Sequence, residues 1–409
     1  MPLYPDRVAE QLEENKAEIH RFTHDDSRVV EVYRDRLRDA VAESQAAVRD
    51  AVGDDRESYP GALPTHEWDA ASGPVVPFDA SVSWDNHEAV NEFAADILAG
   101  VSTVAADGSE IGPTREFTVP LGLVQTAWCR NGHSPSRDYE EDVSMRLLVP
   151  NDLTEDRDDG RRYVDGQAPA HERYREEART IIDCIERFAD VTPPPVVLYD
   201  GPLVPSFANT FAPEIRDAYY REPMSMVLAA SQHHGVPVIG YTAGSGSTNI
   251  AKLLRRRYPD ALGDRPFVAD SRILDPFIDH WGDRSQLFSN RQDGAVDALT
   301  TQYRGETYEF WDDVLFAYLN IPGGDALDRV ELPGWVLRDD RTEYVFNVVR
   351  AEAGVGRGYP EVIQQADANA VLDTGAKNRF LALVQEFADE HDLPIEWDAK
   401  ALSKERRRR

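Results

Sequence analysis

The chain has 409 residues, 44 of them basic and 74 acidic, for a formal net charge of −30, and 41% of it is apolar. That apolar share supports a sizeable core in one large domain with helical additions and excludes wholesale disorder. No apolar run reaches the roughly 18 residues of a membrane span, and the start lacks the basic-then-apolar order of a signal peptide, so a soluble, cytoplasmic protein is expected.

Cys129 and Cys184 are the only cysteines, too few for a disulfide framework or a cysteine-rich zinc site. Five lysines stand against 39 arginines, and strong acidity with so few lysines reads as a surface adapted to concentrated salt. Acidity argues against a nucleic-acid partner only in dilute buffer. At about 1 M salt the Debye length shrinks to about 3 Å, so distant acidic groups barely repel phosphate.

Residues 5–53 are polar with a helical apolar spacing (Val8, Leu12, Ile19, Val29, Val32, Leu37) and read as a helical arm. Prolines 60, 64, 74 and 77 mark 54–85 as a linker, with a lead-in to about residue 99. Three strand-like runs follow, VSTVAADGS, EFTVPLGLVQTAWC and DVSMRLLV, as expected of an antiparallel meander. A helix is predicted over 168–189, then the buried strand PPPVVLYDG, a helix over 213–234, the strand VPVIGYTA and a helix from about Ser247. A mixed sheet flanked by helices is the result, in the element order of a ribonuclease H-like α/β fold occupying 100–395. Helical and strand-like pieces at 265–345 interrupt it, a last helix follows Tyr359-Pro360, and 396–409 form a basic tail ending in Arg406 to Arg409.

Hydrolysis of a phosphodiester by divalent metals needs hard oxygen ligands from neighbouring core elements. Asp107 and Asp200 each end an apolar run before a glycine, which predicts two strand-end carboxylates; alone, each reads as an Asp-Gly turn. On the helix between them Ile181, Ile185 and Phe188 define the buried face, and a step of four back from Ile181 reaches Glu177. Glu176 falls instead on a polar stripe with Thr180, Asp183 and Arg187. In the last helix Asp367 lies four after Ile363 and four before Val371, so it is also expected to face inward. A carboxylate on a core face is costly unless paired or metal-bound.

Gly244-Ser245-Gly246-Ser247-Thr248 lies between a strand and a helix, where Ser245, Ser247 and the loop amides are candidates to cradle a DNA phosphate, or form a simple turn with Ser247 as cap. It lacks the Gly-Lys-Ser/Thr of a Walker A loop. His233 and His234 read as helix-end caps and Tyr359 and Trp335 as core residues, which leaves no hydrolase triad.

At these residues the sequence resembles the NurA family of DNA-repair nucleases from about residue 100 to 375. The resemblance rests on AADGS with Pro113-Thr114-Arg115, VVLYDGPL, VPVIGYT, DSRILDPFIDHWGDRSQLF, FAYLN, RVELPGWV and GRGYPEVIQQADANAVL, in the family's order. It implies a homodimeric, manganese-dependent nuclease, with Mg²⁺ as the alternative ion. The implied activities are 5′ to 3′ exonuclease action and single-strand cleavage, in double-strand-break end resection with the hexameric ATP-driven translocase HerA. By similarity Asp107 and Asp200 are metal ligands, with Glu177 as the helix carboxylate. Asp367 stands where the family usually has His, and a carboxylate there still suits a hard cation. Arg115, Arg284 and Arg329 fall in these motifs and are candidates for phosphate contacts or structural ion pairs. From another class, the competing reading is a catalytically weak subunit that binds DNA ends or the translocase.

Overall fold

The computed structural model describes residues 4–53, 59–71, 73–78, 87–114, 116–134, 139–156, 161–292, 300–321 and 326–395. The chain forms two compact units, one of Ala80–Thr242, Gly294–Val314 and Glu331–Arg409 and one of Met1–Asp79, Ala243–Asp293 and Leu315–Val330. Among the described residues no helix is long and apolar enough to cross a membrane.

The first of these units carries the expected meander: β1 (Thr103–Ile111), β2 (Gly122–Asn131) and β3 (Tyr139–Leu148) pair antiparallel in sequence. The second run was expected to include 116–121 as strand, but Pro120 has no amide to give a ladder and β2 starts after it. Next come helix α1 (Ala168–Phe188), strand β4 (Val196–Asp200), helix α2 (Glu222–His234) and strand β5 (Val238–Thr242). β4 pairs parallel with both β1 and β5, so the strand order is β3-β2-β1-β4-β5. Three antiparallel strands joined to two parallel ones make the mixed sheet of a ribonuclease H-like fold. Helices α3 (Thr342–Val355), α4 (Glu361–Ala370) and α5 (Thr374–Glu390) also belong to this unit.

Successive side chains of a strand leave opposite faces, and β2 shows which helix covers each. Gln125 donates to the Ala370 carbonyl of α4 at 2.9 Å, while the next residue, Thr126, meets Thr180 of α1 at 3.3 Å. The sheet is therefore sandwiched between α1 and α4. Ile181, Ile185 and Phe188 of α1 bury against Val104, Ala106 and Val197. Cys129 and Cys184 are buried free thiols.

The other unit contains much of the predicted arm and linker. Pro5–Val41 is one helix, exposed over residues 5–21, whose later turns bury Val30, Tyr33, Leu37 and Ala40 with Ile250, Leu253, Leu262 and Ile273. Within the segment expected to be linker, Gly61–Pro64 is a buried strand paired with Phe288–Arg291. The tail from residue 396 onward and Arg115 lie outside the described residues.

Candidate metal centre

β1 and β4 run side by side from the pair Thr103 and Val196 to the pair Ala106 and Tyr199. One step further along each strand stand Asp107 and Asp200. Asp107 does not end its strand as expected; β1 continues to Ile111, paired with β2 alone, so the place where the parallel partner stops takes the role of a strand end. By the alternation of the pleat, Asp107, opposite Ala127, and Asp200, one residue beyond Tyr199, share the face covered by α4.

Glu177 comes from the opposite face. Its side chain is buried at 4% exposure on α1 and lies directly over Gly108: a Cβ added there would sit 2.6 Å from Glu177 Oε1. The missing side chain of Gly108 thus leaves room for Glu177 to lie where the charge of Asp107 pushes it up. Glu176, as the helical spacing predicts, turns away and ion-pairs with Arg146 and Arg179, both at 2.7 Å.

Asp367 is a correction. The α4 stripe buries Ile363, Ala366 and Ala370, but Asp367 is exposed, as is Val371. Helical spacing placed it on the correct side, since its charge acts on Asp107, yet it overhangs that carboxylate in the open instead of packing on the core. The expected cost of a buried charge therefore does not arise at this position.

Charge is poorly balanced here. Burial pushes Asp107 up to about 6; the Gly108 amide and Arg173 pull it down, while Asp367 and Asp200 push it further up. Burial likewise pushes Glu177 up to about 7, opposed by Arg173 and reinforced by Asp107 and Glu110. Arg173 is the cation acting on both carboxylates. Its Nη1 lies 2.7 Å from Glu177 Oε1 and its Nε 2.8 Å from Glu110 Oε2. Hard oxygen donors that raise one another's proton affinity fit a divalent cation, whose charge would replace the missing protons.

Sequence reasoning missed three neighbours. Arg173 was available from helical spacing, four before Glu177. Tyr359, read as core, is half-buried, and its hydroxyl donates to Asp200 Oδ1 at 2.6 Å while its ring stands edge-on to Tyr241. Glu352, on α3, accepts from Thr103 Oγ1 at 2.6 Å and from the Val362 amide at 2.9 Å. It ties the start of α4 to β1 and so sets Asp367 against Asp107. Trp335 is buried as expected, and His233 and His234 meet Tyr308 and Tyr303. A cleft of about 720 Å³ lined by Glu110, Thr114, Leu372 and Lys377 opens beside Glu110.

The proposed phosphate contacts fare differently. Arg284 is 2% exposed and held by both oxygens of Glu67, at 2.8 and 2.9 Å, which makes it a structural ion pair. Arg329 is buried with its guanidinium 3.7 Å from the centre of the Phe316 ring. Ser245 is buried and bonds Ser247, and carboxylates already take the nearby amides: Asp328 that of Gly244, and Asp270 those of Ile250 and Ala251. A helix start already capped by a carboxylate repels phosphate, so Ser245 and Ser247 form a turn instead of a cradle.

Among the described residues, Asp279, His280 and Asp283 are the group of three ligating side chains whose donor atoms close to within 4.8 Å. Asp283 Oδ1 there accepts the Phe78 amide, and the other two are exposed. The carboxylates around Asp107 do not close to this distance among the described residues.

No curated protein matches the sequence. Solved structures similar to this chain include endonuclease V from Bacillus subtilis, at 11% identity over 78% of this chain and 99% of that one, with a TM-score of 0.29. NurA with manganese is similar at 9% identity over 70% and 89% of the two chains, with a TM-score of 0.37. NurA bound to dAMP and manganese is similar at 13% over 70% and 88%, with a TM-score of 0.31. The model of the NurA domain matches residues 101–372, which is more than half of the sequence and includes every carboxylate of the centre described above. The chain belongs to the NurA domain family.

Proposed function

We propose that the protein is a divalent-metal-dependent DNA nuclease, acting as a homodimer on double-strand-break ends with a HerA-type hexameric translocase. By the family resemblance its action is 5′ to 3′ exonucleolytic and endonucleolytic on single strands. The observation that carries the reading is the convergence of Asp107, Asp200 and Asp367 on one side of the sheet with Glu177 lying over Gly108 on the other. Divalent ions, Mn²⁺ by resemblance with Mg²⁺ as the alternative, would be held by these four and supply water activation and stabilisation of the leaving oxygen. Tyr359 orients Asp200, and Arg173 keeps Glu177 over Gly108.

Labelled DNA incubated with the purified protein and Mn²⁺ in concentrated salt tests the proposal. Degradation that Asp200→Asn abolishes, in a folded variant, is the expected result. No degradation with or without the translocase overturns it in favour of a scaffold that only binds DNA ends; normal cleavage by Asp200→Asn overturns the assignment of the ligands.

A further inference from the structure

Six residues after Asp200 the chain enters a short 3-10 turn, Ser206–Thr210, that presents Phe207. Burial of an aromatic ring normally stabilises the fold, yet Phe207 is 46% exposed. Of the rings beneath it, Tyr174 and Tyr220 are buried, with ring centres 6.1 and 5.3 Å away, and the partly buried Phe211 is stacked on Tyr220 at 5.4 Å. Phe207 meets both tyrosines steeply, at 69° and 88°.

The same aromatic group shares the α1 face with Glu177 and is joined through β4 to Asp200. Tyr174 lies one helical turn before Glu177, and its ring is perpendicular to that of Tyr199, 6.2 Å away, which directly precedes Asp200. Phe207 therefore stands on a rigid aromatic base continuous with the elements that carry Glu177 and Asp200.

We infer that Phe207 is a stacking platform for an unpaired nucleobase of the DNA strand held at the carboxylates. The inference rests on the nuclease reading and adds a base subsite to it. A flat, uncharged ring suits a chain of this acidity, because stacking on a base needs no cation and survives concentrated salt. A base inside a duplex has no free face to offer, so the platform favours frayed or single-stranded ends.

The test is binding of fluorescent single-stranded oligonucleotides carrying one abasic residue at successive positions, in Ca²⁺ and concentrated salt, so that affinity is read without relying on turnover. For the wild type one abasic position should weaken binding by about 5- to 100-fold. Phe207→Ala should erase that difference, and so should Phe207→Leu, which keeps apolar contact with the rings below and covers the case in which the alanine variant is unstable. Phe207→Trp should preserve it. Retention of the full difference by the leucine variant, or its absence in the wild type, overturns the platform alone. Failure of the wild type to bind any oligonucleotide overturns the nuclease reading together with it.

Discussion

Tyr359 donates its hydroxyl to Asp200 Oδ1 at 2.6 Å, from two residues before α4 to the last residue of β4. The bond reaches the carboxylate from a different element than the one that carries it. Tyr359→Phe keeps the ring against Tyr241 and removes only this hydrogen bond, a net stability change of about 0.5–1.5 kcal/mol. Nuclease turnover should fall about tenfold while the melting temperature moves little, as expected for loss of one orienting contact worth about 1.4 kcal/mol. Turnover equal to that of the wild type would show that Asp200 needs no such support.

Gly108→Ala tests the room left for Glu177 over Gly108. The new methyl would lie 2.6 Å from Glu177 Oε1 and 2.9 Å from Arg173 Cγ, so both side chains must shift. Overpacking of this kind costs about 1–3 kcal/mol. Chemical denaturation should show that loss, and cleavage should drop with it. A fully stable and active alanine variant would mean that Glu177 is not needed where it lies.

Adding Mn²⁺ should stabilise the folded chain, because an ion at Asp107, Asp200, Asp367 and Glu177 relieves their repulsion. At about 100 times the dissociation constant the gain is about 2.7 kcal/mol. Thermal melting with Mn²⁺ and with EDTA reads it, and Asp200→Asn should shrink it. An identical melting temperature in both buffers counts against a metal centre.

Asp270 gives a pH dependence away from this centre. It accepts the amides of Ile250 and Ala251 at 3.0 and 2.9 Å and the Tyr318 hydroxyl at 2.9 Å, and burial pushes it up to about 6. In the unfolded chain it titrates near its ordinary value of about 3.9, so the folded state binds the proton more tightly. Its contribution is then full below about pH 4 and is lost as pH rises through about 6. Denaturant midpoints of Asp270→Asn should fall less between those limits than those of the wild type. Parallel curves would remove Asp270 as the cause.

Arg284→Ala separates an ion pair from a DNA contact. Removing one partner of a buried pair typically costs about 3–5 kcal/mol, so this variant should be markedly destabilised by the loss of its bonds to Glu67. The fraction that remains folded should bind DNA as the wild type does. A stable variant with weakened DNA affinity would return Arg284 to the phosphate contacts.

The sheet was legible because its strands are apolar runs interrupted by glycine and proline, and Glu177 because a helix of 21 residues keeps phase long enough to separate it from Glu176. Asp367 was legible as to side but not as to depth. Periodicity reports which way a residue points, and only the extent of the sheet beneath decides whether anything lies there to cover it. Tyr359 escaped because it precedes a helix, where no period exists to place it. Ser245 and Arg284 failed for a third reason: Glu67, which holds Arg284, and Asp270, which takes the amides near Ser245, come from elsewhere in the chain and are invisible to local spacing.

Asp107 and Asp200 emerge at the same level of two strands already joined by their backbones. The spacing between them is thus inherited from the parallel ladder, and no loop has to hold it. The segment after Asp200, with Phe207 on it, is anchored separately, through the Leu203 and Val204 amides that Glu331 accepts. Insertions or exchanges beyond Val204 can therefore reshape the surface that follows the strand while leaving the separation of the two carboxylates unchanged.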